Sequence, residues 1–420
     1  MREIKTISSI AKIRRGASPR PIGDQKYFGG AVGWVRITDV TRSVKYLQST
    51  EDYLSPLGES LSVRVRSGDL IMSICGTIGR PIIVDMDACI HDGFVQFYDL
   101  QNVDTVFFYY VLQFSESDFI GMGQPGTQVN LNTNIAGRHR FYCPPLATQQ
   151  KIAAVLSAID KYMEKVEALV VKYKQIKSGL MCDLFGRGIL PSGQLRPSHS
   201  EAPEFYKDTA IGWIPRDWQY ELLDRLATRG SGHTPSKECP EYWNGGVKWI
   251  SLADSYRLDK LYISDTDMKI SSKGIQNSSA TLHPAGVVVL SRDAGVGKSA
   301  ITTEPMAVSQ HFMCWKCDSK MDNHFLYYWL QFHKRTFENI AMGSTILTIG
   351  LPYFKRLKIA CPIDVDEQAA IAKKLKAVDT KLFSLLRDLS KKKQQKLGLM
   401  QDLLTGRVPV KVDVSETPYA

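Results

Sequence analysis

The segment QQKIAAVLSAID, from Gln149 to Asp160, returns 219 positions later as QAAIAKKLKAVD, from Gln368 to Asp379. Gln, Ile, Ala, Leu, Ala and Asp recur in the same order. The segment LMCDLFGRGI, from Leu180, likewise matches LMQDLLTGRV, from Leu399, once one residue is inserted. A repeat of this length indicates that the chain contains two copies of one domain plan.

The regions upstream of the two copies are also similar. GGAVGWVRITD aligns with GGVKWISLAD, and SGDLIMSICGTIGRPII aligns with AGVVVLSRDAGVGKSAI. Short apolar runs such as DLIMSIC, PIIVDM, VVVLS and HFMCWKC predict strands. VDTVFFYYVLQF and its counterpart MDNHFLYYWLQF predict helices. We therefore predict an α+β fold with two pseudo-symmetric globular domains.

Apolar residues continue through both copies of the repeated motif at steps of three and four, the spacing of one helix face. About 38 residues at ~1.5 Å each give a helix of roughly 57 Å. Because the second helix starts at the second domain and can only return, we predict that the two helices run antiparallel and form a coiled-coil-like spacer between the domains. The alternative is that each stripe packs on its own domain. The predicted spacer and partner-docking residues are Ile152, Leu156, Ile159, Met163, Val166, Ile371, Leu375, Val378, Leu382 and Leu385.

The repeat and the change in composition after the first helix predict the domain boundaries. The segment that follows this helix is rich in Pro, Ser and Gly, which is typical of a linker. We predict a first domain over 1–146, a helical spacer over 147–187, a linker over 188–212, a second domain over 213–363, a second helical spacer over 364–407 and a tail over 408–420.

The segment VVVLSRDAGVGKSAI, from Val287 to Ile301, raises the alternative of a phosphate-binding loop in an ATP-dependent enzyme. That pattern needs a glycine where this chain has Arg292. The first copy has Arg80 and a proline in place of Lys298 and the following serine. We therefore favour a buried strand followed by a glycine-rich turn. A coiled-coil scaffold that only joins other proteins is a further alternative.

Composition limits the remaining classes of protein. No apolar run approaches the ~18 residues of a membrane span, and the N-terminus does not resemble a secretory signal, so we expect a cytoplasmic protein with no membrane partner. The eight scattered cysteines are typical of reduced thiols. Cys314 and Cys317, with His311 nearby, lack the four ligands of a structural zinc site, so we expect no metal. No spacing of residues indicates a catalytic centre.

Together, the doubled Q..IA..L.A.D and LM.DL...GR motifs, the IGWIPRDW lead-in at Ile211 and the glycine-rich strand-turn resemble the specificity subunit of type I restriction-modification enzymes. The resemblance spans nearly the whole chain, although the first domain lacks the tryptophan-proline lead-in. It implies a non-catalytic DNA-binding subunit with two target-recognition domains, each of which reads one half of a bipartite, asymmetric site in double-stranded DNA. The helices would set the spacing of the halves and dock two methyltransferase (modification) subunits.

The resemblance also implies restriction or motor subunits as partners. S-adenosylmethionine, ATP and magnesium would bind to the partner subunits, and this chain would bind no cofactor. The predicted geometry agrees with a split target, because one turn of B-DNA is about 34 to 36 Å and the predicted helices are longer. Since the two domains differ in sequence, their half-sites should also differ.

The net charge of +10 favours a polyanionic partner, but the helical segments carry most of it. Local clusters must therefore contact phosphates and bases. Ordinary solvated side chains and turn residues are the alternative reading of these clusters. In the first domain the candidate DNA-binding residues are Arg14, Arg15, Ser18, Arg20, Arg36, Thr38, Arg80, Gln124, Thr127, Gln128 and Asn130. In the second domain they are Arg229, His233, Thr234, Lys237, Lys248, Ser251, Arg292, Lys298, Ser344 and Thr345.

Overall fold

The computed structural model describes residues 3–122, 131, 133–343 and 347–411. The chain divides into two compact units. Unit 1 consists of the residues up to Ala168 and those from Leu386 onward, and unit 2 consists of Leu169–Leu385. Each unit therefore contains one of the two repeated globular domains, together with parts of both long helices.

Unit 1 contains small sheets and short helices. Its strands are β1 (Ile4–Thr6), β2 (Lys12–Arg15), β3 (Phe28–Val35), β4 (Tyr46–Leu47), β5 (Asp52–Leu54), β6 (Val63–Val65), β7 (Leu70–Ser73), β8 (Pro81–Val84), β9 (Ala88–Ile90), β10 (Phe94–Tyr98) and β11 (Arg140–Tyr142). Its short helices are α1 (Ile37–Arg42), α2 (Pro56–Ser60), α3 (Thr105–Phe114), α4 (Glu116–Met122) and α5 (Thr133–Arg138). The sheet orders are β1-β11, β2-β10-β7-β8-β4 and β5-β3-β9-β6.

The first long helix, α6, spans Leu146–Arg187 and leads from unit 1 into unit 2. The strands of unit 2 are β12 (Tyr206–Thr209), β13 (Gly212–Pro215), β14 (Trp218–Leu222), β15 (Ala227–Ser231), β16 (Trp243–Ile250), β17 (Tyr262–Ile263), β18 (Met268–Ile270), β19 (Leu282–His283), β20 (Val288–Ser291), β21 (Ser299–Thr302), β22 (Met306–Val308), β23 (Phe312–Cys317) and β24 (Lys358–Pro362). Its helices are α7 (Ser272–Gln276), α8 (Asn323–Phe332), α9 (Lys334–Ile340), α10 (Leu351–Lys355) and the second long helix, α11 (Val365–Leu404).

The two units share one topology. Unit 2 has the orders β14-β24, β15-β23-β20-β21-β17 and β18-β16-β22-β19, which repeat those of unit 1 strand for strand. The parallel pairs also match, because β4 lies parallel to β8 as β17 does to β21, and β3 to β9 as β16 does to β22. The predicted α+β fold with two repeated domains is confirmed.

A capped helix follows the large sheet in each unit. Asp104 accepts the backbone amide of Phe107 at 2.8 Å at the start of α3, and Asp322 accepts that of Phe325 at 2.8 Å at the start of α8. An aspartate at this position satisfies a backbone donor that the helix itself leaves free. Most of the aromatic residues of both helices then enter the core of their unit.

The ends of the long helices pack antiparallel within each unit. In unit 1, Leu156 from the start of α6 and Leu403 from the end of α11 belong to the same buried cluster. In unit 2, Leu375 from the start of α11 and Leu184 from the end of α6 do so. At its start, each long helix therefore packs its apolar face on its own domain, as the alternative reading expected. The end of the other long helix packs against the same cluster. Of the predicted spacer residues, Met163 and Val378 are half-buried and the others are buried: Ile152, Leu156, Ile159, Val166, Ile371, Leu375, Leu382 and Leu385.

The segment GVGKS forms a hairpin turn. Gly295 and Gly297 have φ angles of +109° and +84°, which favour glycine, and β21 begins directly afterwards at Ser299. Strand β21 pairs antiparallel with β20. A phosphate-binding loop needs the N-terminus of a helix at this point. The preferred reading, a buried strand followed by a glycine-rich turn, is therefore correct, and the ATP-binding alternative has no support.

The predicted linker is more ordered than its composition suggests. Its C-terminal part forms strand β12, which pairs antiparallel with β13 at the start of the predicted second domain. A hydrogen bond from Thr209 Oγ1 to the carbonyl of Gly212 at 2.7 Å closes the turn between them. Within the described part of the chain, no helix has the length and apolar content needed to cross a bilayer.

Candidate nucleic-acid interface

A buried aspartate supports the start of α1, which carries Arg36 and Thr38 in unit 1. Asp39 accepts the backbone amide of Arg36 at 2.8 Å and that of Glu51 at 3.1 Å. These two bonds fix the chain that leaves β3 against the chain that enters β5. The backbone here is therefore fixed by a buried carboxylate, while side chains such as Thr38 face solvent.

Unit 2 repeats this support. Asp254 is fully buried and accepts the backbone amides of Ser251 at 2.9 Å and Asp267 at 2.8 Å. Burial raises the pKa of the Asp254 carboxyl above its usual value. The alignment of Asp39 with Asp254 thus reflects one structural role, which is to anchor a loop through its backbone.

Asp92 brings together several of the predicted residues of unit 1. Its carboxylate accepts a hydrogen bond from Ser18 Oγ and lies beside Arg20 Nη2, each at 2.8 Å. Its backbone carbonyl accepts Arg15 Nε at 2.6 Å. The neighbouring Arg14 points to other acceptors on the sheet. Ser18, Arg20 and Asp92, which we call the Asp92 cluster, form a partly exposed group of charges.

The remaining described candidates of unit 1 lie around α1. Arg36 forms an ion pair with Asp52, and its guanidinium lies 4.5 Å from the centre of the Trp34 ring. Thr38 is exposed on the first turn of α1. Arg80 donates to the carbonyls of Thr41 at 3.3 Å and Ser43 at 3.2 Å, at the C-terminal end of the same helix. A cation is favourable at that end of a helix.

Unit 2 has a neutral pair where unit 1 has the Asp92 cluster. Thr234 Oγ1 donates to Gln310 Oε1 at 2.5 Å. The backbone shows that the positions match, because His233 N donates to the carbonyl of Val308 as Ala17 N donates to that of Ile90. His233 itself and Lys237 are exposed. Equivalent surface positions therefore carry different chemistry in the two units.

Two further cations of unit 2 are held in ion pairs at the surface. Both carboxylate oxygens of Asp224 lie within 3.1 Å of Arg229 Nε. Lys248 Nζ lies 2.5 Å from Glu304 Oε1 and 3.6 Å from Asp265 Oδ1. Such partly exposed pairs contribute only about 0–1 kcal/mol, so a phosphate could replace the carboxylate at low cost.

Three predicted residues of unit 2 are engaged in internal contacts. Ser251 is buried and caps the short helical turn that follows it. Arg292 is mostly buried beside Asp293. Lys298 Nζ donates to the carbonyl of Ser255 at 3.2 Å and to its Oγ at 3.0 Å. Base contact by Ser251 would need the loop to open, whereas Arg292 and Lys298 keep some exposure.

Some predictions cannot be placed. Gln124, Thr127, Gln128, Asn130, Ser344 and Thr345 lie outside the described residues.

The CWKC segment forms part of a strand. Cys314 and Cys317 lie on β23, and burial raises the pKa of each thiol to about 12. Protonated thiols are poor metal ligands. Over residues 3–122, 131, 133–343 and 347–411 there is no group of three or more His, Cys, Asp or Glu side chains placed to hold a metal ion.

An aspartate–lysine ion pair between the long helices recurs in both units and was not among the residues predicted from sequence. In unit 1, Asp160 of α6 forms an ion pair with Lys396 of α11, and in unit 2, Asp379 of α11 forms one with Lys177 of α6. A signal was present, since Lys177 and Lys396 are separated by the same 219 positions as the two aspartates. The lysines went unnoticed because a lysine on a long helix usually indicates a solvated face.

Sequence comparison connects this doubled fold with a family. The family model of the type I restriction modification DNA specificity domain matches residues 2–171 and 215–395. The MjaVIII type I restriction enzyme specificity subunit of Methanocaldococcus jannaschii is 25% identical over 321 residues, which cover 74% of this chain and 71% of that protein. The MjaIX specificity subunit of the same organism is 30% identical over 178 residues, 41% of this chain and 40% of that protein.

Comparison of folds agrees. The crystal structure of the S subunit of a type I restriction-modification system from M. genitalium superposes with a TM-score of 0.60 over 96% of both chains. Its identity is 12%, so the likeness concerns the fold alone. With one matched segment in each half of the repeat, the chain belongs to the family of type I restriction-modification specificity subunits and contains two target-recognition domains.

Proposed function

We propose that this chain gives a type I restriction-modification complex its DNA sequence specificity and catalyses no reaction itself. Each unit would bind one part of a bipartite, asymmetric target in double-stranded DNA. The observation that carries the proposal is that the two units share one backbone framework but differ in their exposed side chains. The framework is represented by Asp39 and Asp254, which make equivalent backbone contacts.

The exposed positions differ in charge and in hydrogen-bonding groups. Ser18 with Asp92 corresponds to Thr234 with Gln310. A carboxylate accepts hydrogen bonds only, whereas a glutamine amide both donates and accepts. Base edges in the major groove are distinguished by such donor and acceptor patterns. Two readers that differ in this way should select different half-sites.

Phosphate contacts would supply most of the affinity. The exposed Arg20 and the partly exposed Arg229 and Lys248 are held by carboxylates in weak surface ion pairs. Exchange of a carboxylate for a phosphate keeps the charge of each cation satisfied and releases counterions from the DNA. Binding should therefore weaken steeply with salt.

The long helices would set the spacing of the half-sites and dock two methyltransferase subunits. Because most of the predicted docking residues are buried within this chain, we assign docking to exposed apolar residues of the same helices, which include Val171, Phe383 and Leu397. Contiguous apolar patches are typical of partner-binding surfaces, and our assignment takes these residues to belong to such patches. The coiled-coil scaffold alternative would use the same residues but would leave the two recognition domains without a role.

Partner subunits would carry out the chemistry. Methyltransferase subunits would bind S-adenosylmethionine, and restriction or motor subunits would bind ATP and magnesium, in the cytoplasm where the DNA is accessible. The described residues of this chain contribute recognition surface and not a reaction centre. This division of roles follows from the family and is our proposal for this chain.

A competition experiment tests the function. The chain is co-expressed with its methyltransferase subunits, and binding is measured against duplexes in which the left or the right half-site is scrambled. We expect either change to reduce affinity strongly and substitutions in the Asp92 cluster to alter discrimination at one half only. Equal affinity for all duplexes, with and without the partner subunits, would refute the proposal.

A further inference from the structure

The ion pair between the long helices in unit 1 is buried. Asp160 Oδ1 lies 2.7 Å from Lys396 Nζ, and the two side chains are 7% and 14% exposed. Tyr110 of α3 donates its hydroxyl to Asp160 Oδ2 at 2.6 Å, and its ring centre lies 5.3 Å from Lys396 Nζ. One contact thus joins α6, α11 and the helix of the recognition domain.

Unit 2 repeats the ion pair and the neighbouring tyrosine ring with the helices exchanged. Asp379 of α11 lies 2.6 Å from Lys177 of α6, and both side chains are 23% exposed. Lys177 Nζ lies 5.6 Å from the centre of the Tyr328 ring on α8. Tyr328 occupies the place in the YY pair of α8 that Tyr110 occupies in α3. The aspartate therefore comes from the start of one helix and the lysine from the end of the other in both units.

The two ion pairs specify the same helix register. Asp160 precedes Lys177 by 17 residues on α6, and Asp379 precedes Lys396 by 17 residues on α11. If one helix slipped along the other, both pairs would break together. A slip of one heptad would leave apolar residues facing apolar residues, but it would leave four charges without partners.

Buried polar pairs are well suited to choosing between such registers. An apolar stripe tolerates a heptad slip because its residue types repeat, whereas a buried polar residue at one position specifies the register. A buried ion pair adds little net stability compared with apolar residues of the same size, and its best-attested use is registry. The pair recurs in unit 2 between the same two helices, where it is partly buried, and this repetition fits that use.

We propose that Asp160–Lys396 and Asp379–Lys177 are a matched pair of register locks that hold α6 and α11 in one antiparallel register. This inference rests on the proposed function, because the register then sets the spacing between the two half-sites. A slip of one heptad moves a helix by about 10 Å. That displacement corresponds to about 3 base pairs of B-DNA.

The test neutralises both partners of each lock, so that neither partner is left as an unpaired charge. The buried Lys45 beside Asp160 keeps its hydrogen bonds to Tyr110 and Ser157. The single-lock variants are Asp160→Asn with Lys396→Met and Asp379→Asn with Lys177→Met, and the double-lock variant combines them. Glu167→Gln with Lys393→Met is the matched control, because this pair joins the same two helices at 3.3 Å with side chains 45% and 56% exposed. Each full-length chain is assembled with its methyltransferase subunits. Affinity is measured for duplexes with the native spacing and with the spacing changed by three base pairs.

We expect the double-lock variant to lose about tenfold in the ratio of these two affinities. Its affinity for the native spacing should change by about twofold at most. If about half of the molecules keep the native register, the apparent affinity falls only by that factor. The control should keep the wild-type ratio. A circular dichroism melt of each variant checks that it folds.

The outcomes separate the two proposals. An unchanged ratio in the double-lock variant would overturn the register locks. If that variant does not fold, the affinity ratio is measured for the single-lock variants instead. If neither single-lock variant folds, the ion pairs are needed for stability and the proposal of register locks is also overturned. If the wild-type complex shows no preference for either half-site, the proposed function itself fails.

Discussion

Gln149 Oε1 accepts the backbone amide of Asp104 at 2.9 Å and so ties the first turn of α6 to the start of α3. The amide group of Gln149 also donates to the carbonyl of Pro144 at 2.8 Å. Gln368 makes the equivalent bonds in unit 2, to the amide of Asp322 at 2.9 Å and the carbonyl of Pro362 at 2.9 Å. The glutamine that opens both copies of the repeated motif therefore connects a long helix to its recognition domain.

Replacing this glutamine should destabilise the unit that contains it. Gln149→Leu leaves the Asp104 amide buried without an acceptor, which costs about 1–3 kcal/mol. The change should appear as a lower midpoint of urea unfolding. Gln150→Leu is the control, because Gln150 is exposed on the next position of the same helix. Equal midpoints for the two variants would contradict this role.

Patterns local in sequence predicted much of the fold. The steps of three and four placed both long helices within a few residues of their observed bounds, because one face of each helix is buried. The apolar runs gave the central strands, since strands such as β7 and β20 are buried throughout. The mismatch at Arg292 and the different residues in the first copy favoured a strand and glycine-rich turn over a phosphate-binding loop.

Contacts between distant parts of the chain could not be predicted. Arg20 meets Asp92 across 72 positions, and Ser251 is buried by a loop that Asp254 holds in place. The residue type alone does not show whether a hydrogen-bonding side chain is exposed and able to contact DNA or is buried as a helix cap. The domain boundaries and the DNA-contacting residues remain predictions for the same reason.

Buried and half-buried histidines should make the chain less stable in mild acid. Burial lowers the pKa of five histidines below the usual 6.5: His91, His139, His283, His324 and His333. The unfolded chain then binds more protons than the folded chain below pH 6.5, so stability is fully present above 6.5 and is lost as the pH falls through the lowered values. One group contributes at most about 1.4 kcal/mol per pH unit.

His139 offers a test of this sign. Its Nε2 lies 2.8 Å from Ser115 Oγ in the core of unit 1. His139→Gln cannot titrate, so we expect its unfolding midpoint to fall less between about pH 7.5 and pH 5.5 than that of the parent chain. Parallel pH profiles for the two proteins would show that His139 does not contribute.

Substitutions in the Asp92 cluster should change DNA affinity in opposite directions. Arg20→Ala removes a cation and should weaken binding and reduce the slope of log affinity against log salt by about one. Asp92→Asn removes the competing carboxylate and should strengthen binding. Lys12→Ala is the control, because Lys12 forms an exposed pair with Asp99 at the other end of β2. Changes of the same sign for Arg20→Ala and Asp92→Asn would argue against a DNA-facing cluster.

A longer spacer should widen the gap between the half-sites. Insertion of one heptad between Asp160 and Lys177, with a matching insertion between Asp379 and Lys396, keeps both ion pairs and adds about 10 Å of helix. We expect the gap to grow by about 3 base pairs with both half-sites unchanged. The gap is read from methylated sites in DNA from cells that express the variant. An unchanged gap would show that the helices do not set the spacing.

The central claim is that the two recognition domains of this chain bind different half-sites. The most direct test is a genome-wide map of methylated adenines in cells that express the chain with its methyltransferase subunits. The account predicts one split motif made of two different parts at a fixed gap, absent when this chain is omitted. A single continuous motif, a palindrome, or methylation that does not depend on this chain would contradict it.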